Sequence, residues 1–279
     1  MLNLLLAIAS SALVSIVMRL SGPRVKRGTA MLCINYLICL FFSWVYTGFA
    51  TPVPHEQGVA QAIIMGAVNG LLFLSGFVVL QWNIGRNGMV LSSTFMRLGL
   101  LVCMVVSIAL FREMPGAMQW GGFFLAVAAI VLINYQPTGQ KAGSKLGLLV
   151  VLLCGGLCDS MSKIFEELGN PVLSDHFLMY TFCMALIACA ALTAKKKEGL
   201  PGKAEWLFGA MVGIPNFFSA KFLLASLSDL PGILVYPVYS VGTILVVTVT
   251  GVFCFREKLE KRQVIALGMI LAALVLLNI

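Results

Sequence analysis

The sequence carries little charge. Of its 279 residues only 11% are Asp, Glu, Lys or Arg, against 60% that are hydrophobic, whereas a soluble globular domain has roughly 25% charged residues. That deficit excludes a water-soluble fold. Histidine is nearly missing: the chain has two, His55 and His176. They stand at different helix ends with no HExxH or GxSxG pattern around them, so the usual hydrolase constellations are excluded. Long polar connections are missing too. The longest, around residues 21–29, 50–60, 136–145 and 195–204, hold about ten residues each, too few to fold in water as a domain. The eight cysteines form no CxxC or Cys/His cluster and all fall in apolar blocks, where a thiol packs as a small hydrophobe. No metal, no cofactor and no enzymatic activity are expected.

Ten apolar blocks make up the rest, at about 2–20, 30–49, 61–82, 88–111, 118–135, 146–165, 176–194, 205–225, 231–254 and 263–278. A helix needs about 20 such residues to cross a hydrocarbon layer roughly 30 Å thick. The expected fold class is therefore an all-α polytopic membrane protein with ten transmembrane helices. Met1-Leu2-Asn3 puts no basic region ahead of the first block, while Arg19, Arg24, Lys26 and Arg27 follow it. This is the pattern of a retained helix rather than a signal peptide.

The net charge of +8 is spread over short connections instead of forming one patch, so nucleic acid is not an expected partner. Fifteen basic residues lie in the odd-numbered connections, including Arg86, Lys141, Lys145, Lys195 to Lys197 and Arg256, whereas the even ones hold Arg112 alone. By the positive-inside rule the odd connections are cytoplasmic and both termini lie outside.

FREMPGAMQ at 111–119 returns as FREKLEKRQ at 255–263, an offset of 144 residues. The same offset carries Gln119 onto Gln263, Ala128-Ala129 onto Ala272-Ala273, Asn134 onto Asn278 and Gly88 onto Gly232. With a one-residue shift GAVNG (66–70) falls on GAMVG (209–213), both with the spacing of close helix packing. The chain thus divides into a five-helix repeat at 1–136, a cytoplasmic linker at 137–145 and a second repeat at 146–279. Five is odd, so the copies run oppositely through the membrane, as inverted repeats do in alternating-access transporters. Glu113 and Glu257 are read as residues that hydrogen-bond helix ends, with gating as the alternative.

The chain resembles the drug/metabolite transporter superfamily in its ten-helix, EamA-like bacterial branch. The likeness rests on the ten helices, the two halves, and an acid followed by Gln at both junctions: Glu113 with Gln119, Glu257 with Gln263. Where the family pattern reads Gly-Glu, this chain has Arg112-Glu113 and Arg256-Glu257. The resemblance implies secondary active transport or exchange of small metabolites through a central cavity, in a monomer or homodimer, often with proton or exchange coupling.

Ionisable groups inside membrane helices are costly and mark functional candidates. Arg97 stands about ten residues into its helix, roughly 15 Å deep at 1.5 Å per residue, too far to snorkel. It faces the substrate or a structural partner such as Asp159. Asp159 and Lys163 are four apart with the acid first, the favourable order for an internal pair. Asp159 is also the candidate for proton coupling, with burial and Lys163 pulling its proton affinity in opposite directions. Lys221 either snorkels to the outer interface or binds substrate. Pro215-Asn216 reads as a break in the eighth helix that frees carbonyls near a site, or as a plain kink. Tyr236 and Ser240 share a face of the ninth helix, and Ser93 precedes Arg97; such hydroxyls also bond back to their own backbone.

Three intramembrane cations against one acid favour an anionic or zwitterionic solute. The small four-helix exporters of the superfamily carry a glutamate in the first helix, whereas the stretch around Val14 here is apolar, which counts against cation/proton antiport. The expected function is secondary transport or exchange of a small anionic or zwitterionic metabolite across the cytoplasmic membrane, by alternating access around a midplane cavity. Its partners are that solute, the lipid bilayer and, left open, coupling protons. Proton-coupled export of drugs or of neutral or cationic metabolites is the alternative, as is lipid translocation.

Overall fold

A peptide group in hydrocarbon has no water to bond, so a membrane chain satisfies its backbone within each segment by forming helices. The computed structural model describes residues 1–22, 24–87, 95–96, 98–134, 145–255 and 261–277. These form α1 (Leu2–Ser21), α2 (Gly28–Tyr46), α3 (Val59–Asn87), α4 (Leu100–Phe111), α5 (Ala117–Asn134), α6 (Lys145–Leu168), α7 (Ser174–Lys196), α8 (Lys203–Asp229), α9 (Gly232–Phe255) and α10 (Lys261–Leu277). Six of them, α2, α3, α6, α7, α8 and α9, are long and apolar enough to cross a membrane. Shorter apolar helices occupy α1, α4, α5 and α10.

The elements follow the apolar blocks with two differences. α3 runs on to Asn87, past the expected end at 82, and there the Arg86 guanidinium lies 4.5 Å from the centre of the Trp82 ring. Of the block at 88–111, α4 covers the second half, while residues 88–94 and 97 lie outside the described residues. Of the break and the plain kink read at Pro215-Asn216, the break is absent: α8 is one helix from Lys203 to Asp229 with Pro215 inside it. A proline is tolerated in a membrane helix when neighbours supply the missing polar partners. Pro215 has no N–H to offer the Met211 carbonyl one turn back. Beside it the Cys39 thiol of α2 donates to the Gly213 carbonyl at 3.3 Å and Asn216 Nδ2 donates to Asn35 Oδ1 at 3.2 Å, which tie this stretch of α8 to α2. α9 likewise passes through Pro237 unbroken.

The chain forms two compact units, Met1–Leu74 with Ile164–Ser228, and Ser75–Lys163 with Asp229–Ile279. This division cuts across the repeat halves read from the sequence. In the first unit α2 packs on α7. Close approach is made possible by glycine: a Cβ on Gly66 of α3 would lie 2.7 Å from Tyr180 Cβ of α7, and one on Gly209 of α8 would lie 2.6 Å from Ile34 Cβ of α2. In the second unit α5 packs on α10 and α4 on α9. The α5–α10 seam is built from Ala126, Ala129 and Ile130 against Ala266, Ile270 and Ala273, all fully buried. Small residues bring membrane helices together by van der Waals contact where lipid is as apolar as the protein.

Gly209 therefore has a packing role that Gly76, whose Cβ would meet no atom within 4 Å, does not have. Gly209→Ala should destabilise the protein by about 1–3 kcal/mol through overpacking, whereas Gly76→Ala should be neutral or slightly stabilising. Thermal unfolding of the two variants in detergent decides; equal behaviour would refute the packing role.

Candidate functional site

The first FRE phrase begins the site. Phe111 ends α4, Arg112 takes the left-handed conformation with φ 55, and the Glu113 N–H donates to the Ser107 carbonyl at 3.3 Å. A non-glycine residue rarely adopts that φ. Its effect is to turn the chain sharply and carry Glu113 out of the helix direction.

Glu113 then meets three donors. Its Oε1 accepts from Lys163 Nζ of α6 at 3.0 Å and from the Gly232 N–H at 3.3 Å. Its Oε2 accepts from the Ile233 N–H at 3.2 Å. Those amides open α9, where the helix dipole favours negative charge. The Lys163 side chain is 3% exposed and that of Glu113 15%, and the ammonium also lies 5.7 Å from the centre of the Phe111 ring. Glu113 thus hydrogen-bonds a helix end, as the sequence suggested, and neutralises the buried lysine as well. Sequence reasoning missed this second role, because it looked for the partner of Lys163 one turn away on its own helix, at Asp159. The available signal was the acid at each apolar junction, the one residue type that a buried lysine requires.

Tyr236 of α9 is buried, and its hydroxyl donates to the backbone carbonyl of Asp159 at 2.8 Å. This fixes α9 against α6 beside the ion pair. Ser240, one turn further on, is buried, and Asp159 is half-buried. Lys163, Tyr236, Ser240 and Asp159 therefore belong to the second unit with Glu113. The first unit holds the other two candidates. Lys221 of α8 pairs with Asp175 Oδ1 of α7 at 2.5 Å and lies 3.9 Å from the centre of the Tyr46 ring. Asn216 clamps α8 to α2 through Asn35. Asp175 and Tyr46 were not anticipated. Arg97 and Ser93 lie outside the described residues.

The count of three cations against one acid left out Glu113 and Asp175, because both sit where helices begin or end. Each of Lys163 and Lys221 holds a carboxylate. What the second unit offers chemically is a donor set matched to a carboxylate: one ammonium and two helix-opening amides. Among the described residues no group of three or more His, Cys, Asp or Glu could hold a metal ion. The first unit also bears an apolar groove of about 480 Å³ between α2 and α7, lined by Leu37, Phe41, Trp44, Val53, Met179 and Cys183 among others, with no charge to recognise a polar solute.

Comparison with known proteins agrees with this architecture. Residues 144–279 match the model of the EamA-like transporter family, part of the drug/metabolite transporter superfamily. The chain is 24% identical over 271 residues to an uncharacterized protein of Haemophilus influenzae, covering 93% of this chain and 91% of that one. It superposes on a protein crystal structure with a TM-score of 0.79 at 13% identity, covering 99% of this chain and 94% of that one, a likeness of fold.

Removing one partner of a buried pair strands the other, at about 3–5 kcal/mol. Glu113→Ala takes a carboxylate from the buried ammonium and the acceptor from two amides, whereas Lys163→Met leaves the carboxylate on its amides. Glu113→Ala should therefore unfold at lower temperature than Lys163→Met, and the double variant should recover part of the loss. Additive losses in that cycle would show that the pair is not coupled.

Proposed function

We propose that this chain, whose second half belongs to the EamA-like family of small-molecule membrane transporters, is a secondary active transporter or exchanger of a small anionic or zwitterionic metabolite. It acts across the cytoplasmic membrane with ten spans, by alternating access around a midplane cavity. One observation carries the reading. Under the 144-residue offset α2 corresponds to α7, α4 to α9 and α5 to α10, and each packs on its own counterpart. The glycine contacts exchange in the same way: Gly66 of α3 meets α7, and its counterpart Gly209 of α8 meets α2. Self-pairing of equivalents is what a two-fold axis between the halves produces, and an odd number of helices per half lays that axis in the membrane plane. Such a scaffold has two related conformations, one open to each side.

The substrate class rests on donors rather than on net charge. Arg97, Ser93, Lys163, Lys221, Asn216, Tyr236 and Ser240 are the proposed solute contacts, with Asp159 as the coupling residue. On the positive-inside reading the odd connections are cytoplasmic, which would set Glu113, Lys163 and the start of α9 on the outer side of the midplane. The apolar groove of the first unit favours a second reading, translocation of a lipid whose acyl chain would lie along it.

The deciding experiment is a thermal-shift screen of purified protein against acidic, zwitterionic, neutral and cationic metabolites, with Arg97→Gln alongside wild type. Ligand at 100 times its Kd stabilises by about 2.7 kcal/mol, or roughly 5 °C or more for a chain of this size. Anions or zwitterions should give that shift in wild type and lose it in Arg97→Gln, and the same compounds should then cross proteoliposome membranes. Stabilisation by cations that Arg97→Gln leaves intact would overturn the substrate class; phospholipid scrambling without solute flux would favour the lipid reading.

A further inference from the structure

We propose that Lys163 Nζ, the Gly232 and Ile233 amides and Ser107 Oγ form a binding site for the carboxylate of the transported solute, and that Glu113 is its resident stand-in, displaced when solute binds. The proposal rests on the anionic or zwitterionic reading above and names the site and chemistry that serve it.

Three observations carry it. The receptor groups sit on helices, Lys163 on α6, the amides on α9 and Ser107 on α4. Glu113 sits between α4 and α5, on a connection whose neighbours Arg112 and Met114 are exposed. A carboxylate delivered by a connection can leave without unfolding a helix. Second, Glu113 does not use everything the site offers. The Ser107 side chain is fully buried, yet its hydroxyl makes no hydrogen bond among the described residues. Buried hydroxyls are nearly always bonded. This one points at the start of α9, since a Cβ placed on Gly232 would lie 2.8 Å from it. Third, the position it faces is glycine: the same Cβ would lie 3.4 Å from Lys163 Cε and 3.4 Å from Tyr236 Cε2. Even a methyl group is excluded there, so the hydroxyl, the lysine side chain and the amides converge closely on one point. A helix cap does not need the unused hydroxyl; a free carboxylate in the place of Glu113 can accept from it as well as from the ammonium and the amides.

A resident competitor lowers apparent affinity by the fraction of time it leaves the site open. Glu113→Gln keeps an acceptor for the amides but gives up the charge on Lys163, so it should open the site without emptying the fold of its cap. With acetate as probe, half-maximal thermal stabilisation of Glu113→Gln should come at about tenfold lower concentration than in wild type. Lys163→Met should abolish the effect in both backgrounds. Ser107→Ala should raise the required concentration several-fold in both, a change that a purely structural cap, which leaves Ser107 unused, would not produce. Equal acetate dependence of wild type and Glu113→Gln, or indifference to Ser107→Ala, would overturn the site. If solute anions still crossed proteoliposome membranes in that event, the transport reading would stand and the site would lie elsewhere. Absence of binding and flux for every anion and zwitterion would instead sink the substrate class itself.

Discussion

Every charge that this chain buries has to be answered by another part of the chain, because hydrocarbon provides no water to do it. The structure answers repeatedly with one device, a carboxylate placed on the opening turn of a helix. Glu113 sits on the start of α9 and takes Lys163 with it. At the start of α2, Glu205 Oε1 accepts from the Lys26 and Arg27 amides at 3.3 Å each, and Glu198 Oε2 accepts from the Ala30 amide at 3.3 Å. In each case the acid comes from a distant segment, so the contact both satisfies orphan amides and fixes which helices are neighbours. Asp175 meets Lys221 in the first turn of α7 in the same spirit, with the Tyr46 ring beneath the ammonium. The ion pairs of this chain are therefore topological statements as much as electrostatic ones.

Between those polar ends the helices are held by shape. Glycine at 66, 70, 209 and 213 lets backbones approach to distances that any side chain would obstruct, and alanine does the same along α5 and α10. The thiols belong to this economy as well: Cys39 and Cys103 donate to the carbonyls of Gly213 and Gly156, at 3.3 and 3.4 Å. Seams of this sort hold membrane helices together by close van der Waals contact. Polar clamps such as Asn216 with Asn35 keep the register.

Much of this was legible in the sequence because hydropathy and repetition are local signals. The apolar blocks are helical among the described residues, six of the helices being long and apolar enough to cross a membrane, and the GxxxG pairs are packing sites. What escaped was whatever depends on long-range pairing. Asp159 is the sequence neighbour that helical periodicity offers Lys163, but Glu113 reaches the ammonium from another element through a left-handed turn at Arg112, a conformation no propensity assigns to arginine. Pro215 read as a break or a plain kink because local rules count the lost hydrogen bond; they do not count the contacts through which Cys39 and Asn35 of α2 hold this stretch of α8. The positive charge sum failed for the same reason, since it treated acids at helix ends as outside the membrane interior while their oxygens bond groups within it.

The repeated phrase has a physical reading in these terms. Glu113 contacts Gly232, and the 144-residue offset carries Glu113 onto Glu257 and Gly232 back onto Gly88. The offset sets beside the acid and glycine of the observed contact an acid and a glycine of the same types in the other half, Glu257 and Gly88, which lie outside the described residues. The sequence thus writes the residue types for the contact twice, once for each junction. It does not write Lys163 twice: that position falls on Arg19 in the first half, in a segment rich in basic residues. The two junctions are therefore alike in their acid and glycine and different in the cation that the offset aligns with them.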